Sequence, residues 1–496
     1  MENKIPLTAL SAFLSAVVFP KINFWWISYF CLVPLIYSLK KIKRNNKKGF
    51  FKLGFLYGSI FMFVFHNWIF SLKEWAPWFL IVVLWVLAAV YFGLFYGIMA
   101  YLYGLIEDEA WDIILIPSCW VFVEWLRSLG PLGNSAGALG YSQTNFLYML
   151  QAASIVGVFG LSFIIVLING LIYKVLESRG KKGVISLVLV VSILVGFGYF
   201  RVEKDAFICK GSYEKRLVSI VQGNHSQAQK LDSFFWGVIR ADYINLIGMV
   251  TVAQNPDIVF LPETVTPGMN LNATSFIQSL VKKVREKNFS IVMGSPFKKD
   301  GLYYNTASVI SKNGLQIGNM YFKNTLMPFG EYWPLRSLIE KICKGVVSGV
   351  DFTPGKSKDV LRIKGVDVGV GICLESIYPF FYRDIVRDGA DLLCVLVNNA
   401  WFISSNAAAE HLQMSVMRAV ENDRFLVQAA NTGISALVNN KGHVVKASSL
   451  NCREIISGEV ESRKTKTFYS LFGDIIILFS IICYVVIFGL GKLKSS

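Results

Sequence analysis

Apolar residues run almost unbroken through the first two hundred positions, then give way to short strand-like and helix-like runs. Candidate membrane spans fall near 7–20, 24–39, 53–72, 77–105, 112–128, 150–176 and 184–201. Each approaches the length needed to cross a hydrocarbon core of ~30 Å, the first two being the shortest. The first run ends at Phe19-Pro20 with the next span directly behind it, so it reads as a retained helix rather than a cleaved signal. One further apolar run, about 468–491, closes the chain. Between these blocks the pattern alternates β and α. Runs at 217–222, 258–261, 290–293, 307–310, 366–372, 392–397 and 436–438 read as strands. Helical stretches fall near 232–253, 273–287, 379–388 and 407–422. The predicted organisation is a transmembrane domain of about seven helices (1–201), an α/β domain (202–466) and a C-terminal transmembrane helix (467–496).

Composition agrees with a membrane protein: 54% of the 496 residues are hydrophobic and the mean hydropathy is +0.49. The net charge of +16 would suit nucleic acid, but no nucleic-acid-binding motif accompanies it. In a membrane protein the basic residues mark cytoplasmic connectors instead. Lys40-Lys41-Ile42-Lys43-Arg44-Asn45-Asn46-Lys47-Lys48 is the densest run, and Ser178-Arg179-Gly180-Lys181-Lys182 falls on the same side by span count. Glu107-Asp108-Glu109 falls there too, and acidic residues weigh little in this rule. That count places the α/β domain outside the cytoplasm, which in a bacterium means the periplasmic face of the inner membrane.

Within the α/β domain, Cys373 follows the strand-like Val366–Ile372 and precedes a helix-like stretch. A thiol on such a turn is a candidate nucleophile, because a helix N-terminus favours the thiolate. The usual partner would be histidine. His66, His225, His411 and His443 are the four in the chain, and none stands in a Cys-His signature. Other candidates are Glu263, just past a strand that stops at Pro262, and Lys323, shortly before Met327-Pro328-Phe329-Gly330-Glu331. Each is unremarkable alone: a glutamate after a strand is commonly solvated, and a lysine among apolar residues commonly snorkels. The eight cysteines show no CxxC or Cys/His metal spacing. Cys31, Cys119 and Cys483 lie in apolar runs and read as packing residues. Cys209 and Cys452 flank the polar domain; whether they form a disulfide is open.

Taken in order, strand-Pro262-Glu263, then Lys323 before Pro-Phe-Gly-Glu331, then Gly371-Ile372-Cys373-Leu374-Glu375 resemble the carbon–nitrogen hydrolase (nitrilase) superfamily. So do Val221-Gln222-Gly223-Asn224, Gly294-Ser295-Pro296, Tyr304-Asn305-Thr306-Ala307 and Asn398-Asn399-Ala400-Trp401-Phe402. With spans on both sides, and with the run His411–Arg424, the whole chain resembles the apolipoprotein N-acyltransferase family. The resemblance implies an α-β-β-α sandwich beside a multi-span helical domain. It implies a Glu263-Lys323-Cys373 triad, with no cofactor and no metal. The implied reaction moves the sn-1 acyl chain of a phospholipid, through a thioester on Cys373, to the α-amino group of a diacylglyceryl-cysteine apolipoprotein.

In that scheme Glu263 is the general base, and Lys323 and the backbone N–H of Leu374 face the oxyanion. Glu331 orients Lys323 or the amine, and Glu375 matches a glutamate after the cysteine that such acyltransferases use. Leu374 departs from the tyrosine often found there, which puts a side-chain role at that position in doubt. Trp236 matches an aromatic involved in substrate binding, against the plain alternative of a packing tryptophan. Pro334–Phe352 resembles a lid arm, against an ordinary surface helix, with Cys343 as lid packing or a stray thiol. The expected state is a monomer in the inner membrane that binds no nucleic acid. Two other readings remain. One is a membrane-tethered amidase using the same triad. The other is a transporter, for which His66 and Glu124, near Trp120 and Trp125, are the intramembrane polar candidates.

Overall fold

The computed structural model describes residues 4–20, 22–178, 180–204, 213–253, 255–266, 268, 274–334, 336–342, 351–402 and 405–495. The chain divides into two compact units. Met1–Ile208, Ser405–Glu421 and Thr467–Ser496 form one; Cys209–Ser404 and Asn422–Lys466 form the other.

The first unit is helical. Among the described residues, five of its helices are long and apolar enough to cross a membrane: Lys47–Glu74, Trp78–Gly104, Ala153–Ser178, Lys181–Glu203 and Ile475–Leu493. The shortest expected spans come out differently. Run 7–20 forms Lys4–Val17, of 14 residues, and run 24–39 forms Val33–Lys40, of 8 residues. At ~1.5 Å per residue these extend roughly 21 and 12 Å, short of a full crossing. The cause is local: a 3-10 turn at Trp25–Tyr29 interrupts the second run, and Pro34 sits in the first turn of its helix. Run 112–128 forms Asp112–Leu126, which carries Pro117 inside it.

Two of the buried polar side chains in this unit have partners within it. Glu124 Oε1 accepts from Trp120 Nε1 at 2.8 Å and from the Leu139 N–H at 3.0 Å. His66 stacks on Phe92 and faces the Met62 carbonyl at 3.1 Å. These are structural contacts of the kind that hold a bundle together. The helix Ala407–Asn422 is where the pattern predicts it. Residues 405–421 nevertheless cluster with the helical unit rather than with the α/β unit that encloses them in sequence. Glu421 Oε1 accepts the Val158 N–H at 2.9 Å, next to Gly157 (φ 67), where the helix Ala153–Ser178 is kinked. Glu421 also pairs with Arg418 at 3.1 Å.

Among its described residues the second unit forms two six-stranded sheets. The strands are β1 (Glu214–Gln222), β2 (Ile258–Phe260), β3 (Ser290–Lys299), β4 (Leu302–Ser311), β5 (Gly314–Phe322), β6 (Leu361–Ile363), β7 (Val366–Ile372), β8 (Leu392–Val397), β9 (Leu426–Ala430), β10 (Ala436–Val438), β11 (Val444–Ala447) and β12 (Glu454–Ser462). One sheet runs β12-β1-β2-β3-β4-β5, the other β11-β10-β9-β8-β7-β6. Every residue of β8, of β9 and of β2 is buried, as strands covered on both faces require.

The outer face of the first sheet packs against the helices Trp236–Ala253 and Thr274–Lys287. Ile239, Ile247, Leu280 and Val284 there meet Val259, Ile291 and Met293 of the strands. On the second sheet, Gly369 and Gly371 of β7 clear room for the helix Pro379–Arg387. A Cβ at Gly371 would fall 2.1 Å from the Tyr382 hydroxyl. The sheets join through buried polar pairs, such as Ser435 Oγ donating to Gln222 Oε1 at 2.6 Å. This is the α-β-β-α layering that the sequence suggests.

Candidate active site

Three strand ends converge. β2 leads through Leu261 and Pro262 into a turn that presents Glu263, with Thr264 at φ 56. The turn lies on β3, where the Gly294 N–H donates to the Pro262 carbonyl (3.1 Å) and the Val265 N–H to the Gly294 carbonyl (2.9 Å). A Cβ at position 294 would come within 2.7 Å of the Glu263 Cα, so glycine is what lets the turn close there. Lys323 directly follows β5, its N–H bonded to the Asn305 carbonyl of β4 at 2.9 Å. Cys373 follows β7 of the second sheet, at φ 50. The residue after β7 opens a 3-10 turn, Cys373–Ile377, rather than an α-helix. The helix-terminus argument for a stabilised thiolate therefore does not apply, because Pro379 delays the helix by six residues.

The side chains form one buried charged cluster. Lys323, 2% exposed, places its Nζ 2.8 Å from Glu331 Oε2 and 3.5 Å from Glu263 Oε1. Asn305 Nδ2 bridges the two carboxylates, donating to Glu263 Oε1 (2.8 Å) and Glu331 Oε1 (2.7 Å). The Met327 N–H donates to Glu331 Oε2 at 2.7 Å and sets the Pro-Phe-Gly turn. Burial opposes the charge on Lys323, but Glu331, Glu263 and Cys373 together hold its pKa above the ordinary lysine value. Burial, then the Glu263 charge, push the Cys373 thiol well up; Lys323 and the Asn398 backbone N–H work against them. These influences favour the protonated thiol over a free thiolate at Cys373.

Glu375 is wholly buried and welds the two sheets' contributions together. Its Oε1 accepts from the Tyr321 hydroxyl (2.6 Å) and from the N–H groups of Asn324 (2.7 Å) and Thr325 (3.0 Å). Its Oε2 accepts from the Ile372 N–H at 2.8 Å. The chain just past Lys323 and the residue before Cys373 are therefore held by one carboxylate. Burial raises its pKa to about 7, against those donors.

Glu263, Lys323, Glu331, Cys373, Leu374 and Glu375 all meet here, as the motif order suggests. Trp236 is half-buried in the same unit, its indole N–H donating to the Lys230 carbonyl at 3.0 Å. The lid reading falls largely outside the described residues, since Leu335 and 343–350, including Cys343, are among the undescribed. Cys209 is too, which leaves its pairing with Cys452 aside. Among the described residues no group of His, Cys, Asp and Glu could hold a metal ion.

Two participants were invisible in the sequence. Asn305 stands in the Tyr-Asn-Thr-Ala motif with no sign that it bridges two acids. Lys230 is 4% exposed and donates to the Glu263 carbonyl at 3.2 Å; only its place in a short capped turn marks it out.

Residues 11–171 match the family described as Apolipoprotein N-acyltransferase N-terminal domain, and residues 218–468 match Carbon-nitrogen hydrolase. An apolipoprotein N-acyltransferase from Geobacter metallireducens is 30% identical, over 95% of this chain and 91% of that protein. One from Thermotoga maritima is 28% identical, over 99% of this chain and 94% of that protein. Among solved structures, Nit3 of Saccharomyces cerevisiae, a member of branch 10 of the nitrilase superfamily, covers 50% of this chain and 90% of its own, at 19% identity and TM-score 0.40.

Proposed function

The chain belongs to the apolipoprotein N-acyltransferase family, and on that premise we propose the following two-step reaction at Cys373. Glu263 takes the thiol proton as sulfur attacks the sn-1 ester carbonyl of a phospholipid. The tetrahedral oxyanion faces the Lys323 ammonium and the Leu374 N–H. The C–O bond breaks, Glu263 returns the proton to the leaving lysophospholipid hydroxyl, and an acyl thioester remains. In the second step the α-amino group of a diacylglyceryl-cysteine apolipoprotein attacks the thioester. Glu263 accepts the amine proton and passes it to the departing thiol, giving the amide and free Cys373.

The observation that carries this reading is the buried Glu263–Lys323–Glu331 cluster beside the Cys373 thiol. Such a nucleophile needs a base at the moment of attack, and Glu263 is the carboxylate in position. Glu331 anchors Lys323 rather than the chemistry. A thioester survives only where water is excluded, and a lipid leaflet beside apolar helices supplies both that dryness and the acyl donor. The basic connectors and the span count read from the sequence support a sandwich unit at the periplasmic face of a bacterial inner membrane. The enzyme acts as a monomer without a cofactor, and Trp236 lines the approach to Glu263.

The test is mass spectrometry of purified protein mixed with phospholipid. An acyl adduct on Cys373, labile to hydroxylamine and lost in Cys373→Ser, is expected. An adduct on another residue overturns the assignment. Release of free fatty acid with no N-acylated acceptor overturns transfer in favour of hydrolysis.

A further inference from the structure

Lys230 is a buried cation that this reaction scheme does not use. It lies on the short helix Gln227–Leu231, whose start is fixed by a capping box. The Gln229 N–H donates to Ser226 Oγ (3.2 Å), and the Ser226 N–H donates to Gln229 Oε1 (3.0 Å). From there the side chain runs inward to the Glu263 carbonyl, 3.2 Å away. Its own carbonyl accepts the Trp236 indole N–H at 3.0 Å. The Trp236 ring covers Gly268, where φ is +68 and a Cβ would come within 1.9 Å of it. The same segment reaches the cysteine side of the site: Gln227 Oε1 accepts from Asn398 Nδ2 at 3.1 Å. The Asn398 backbone N–H in turn favours the Cys373 thiolate.

Among the described residues Lys230 makes no ion pair with a carboxylate. Burying an ammonium without one is costly, and a methionine or leucine would fill the same space without that cost. The one acidic group that draws on its charge is Glu263. The other charged groups nearby are His225, 4.0 Å from Asp242, and Arg453, 2.7 Å from the same Asp242. Facing Glu263 from the remaining elements are Lys323, Asn305 and Cys373.

We propose that Lys230 is a positioning residue for the reaction at Cys373: its ammonium clamps the Glu263 turn by the carbonyl and sets a second cation beside the base. The proposal rests on Glu263 being that base. Burial also lowers the Lys230 pKa to about 7, with the Glu263 charge pulling it back upward.

Cys373 alkylation by iodoacetamide tests this without any acyl donor. The full-length protein in detergent is alkylated across pH, and the Cys373 peptide is quantified by mass spectrometry. In Lys230→Met and Lys230→Gln the acid limb should move up by about one pH unit, roughly tenfold slower alkylation below the limb. Lys230→Arg should stay within about threefold of the wild type. Glu263→Gln should abolish the limb. A Lys230→Met profile that superimposes on the wild type, or that falls by one factor at every pH, overturns the proposal. So does a limb that persists in Glu263→Gln. If Lys230→Met does not accumulate, Lys230→Gln decides: it keeps a donor and loses the charge, so a wild-type profile for it is equally fatal. Failure to form an acyl-enzyme from phospholipid would sink the acyl-transfer reading and leave this result standing.

Discussion

Lys323 and Lys230 are almost equally buried, at 2% and 4% exposure, and lie on either side of Glu263. Lys323 has Glu331 at 2.8 Å and Glu263 at 3.5 Å. Lys230 has a single carbonyl oxygen at 3.2 Å. Their pKa values part accordingly. The acids hold Lys323 above the ordinary lysine value despite burial, whereas burial brings Lys230 down to about 7. Depth alone does not decide whether a buried amine stays charged; the counter-charge buried with it does. A permanent cation suits an oxyanion partner. A conditional one suits a group that tunes its neighbour.

The comparison breaks most violently at Lys323. Lys323→Met leaves Glu263 and Glu331 facing each other across Asn305 with no cation between them. Acyl-enzyme formation should fall by about a thousandfold or more, and the unit should lose about 3 kcal/mol or more of stability. Single-turnover acylation and thermal unfolding read the two. An unchanged melting temperature would show that the acids do not depend on that charge.

A smaller effect is expected at Glu375. Glu375→Gln replaces one acceptor oxygen with an NH₂ that must face either the Ile372 N–H or the N–H groups of Asn324 and Thr325. A loss of about 2 kcal/mol and roughly a hundredfold in acylation rate should follow, since the chain past Lys323 and the residue before Cys373 lose their common anchor. A variant that melts lower yet acylates normally would confine Glu375 to folding.

The subtlest test uses pH. Folding depresses the Lys230 pKa from its ordinary value to about 7, so between about 7 and 10.5 the unfolded chain binds more protons and stability rises with pH. Glu375 runs the other way: its folded value is raised to about 7, so its contribution is complete below its unfolded value and declines as pH rises toward 7. Against Lys230→Met, the wild type should therefore gain thermal stability between pH 7 and 10, by a few degrees. A constant difference would mean that Lys230 does not titrate in that window.

Much of the fold was legible because it repeats a local rule. β7, β8 and β10 and the helix 407–422 fall where apolar runs and turn residues put them. β5 escaped notice because Gly314-Leu315-Gln316-Ile317-Gly318 is half-exposed and broken by glycine, and its burial comes from pairing with β4. The short early helices escaped because hydropathy counts apolar residues and is blind to a 3-10 turn. At the site, the glutamates, the lysine and the cysteine were readable from motif order. Asn305 and Lys230 were not, since their roles exist only once β4 and the capped turn lie against the Glu263 turn.

By itself the sequence determined the membrane character, the α/β alternation and the residue types that carry the chemistry. Hydropathy and side-chain reactivity are local properties, and motif order survives without a fold. Tertiary structure decided which buried amine is held charged by its neighbours, which glutamate joins the two sheets, and that Glu263 and Lys323 lie beside the Cys373 thiol. Each of these depends on distances between residues far apart in the chain and on how much water folding removes from between them.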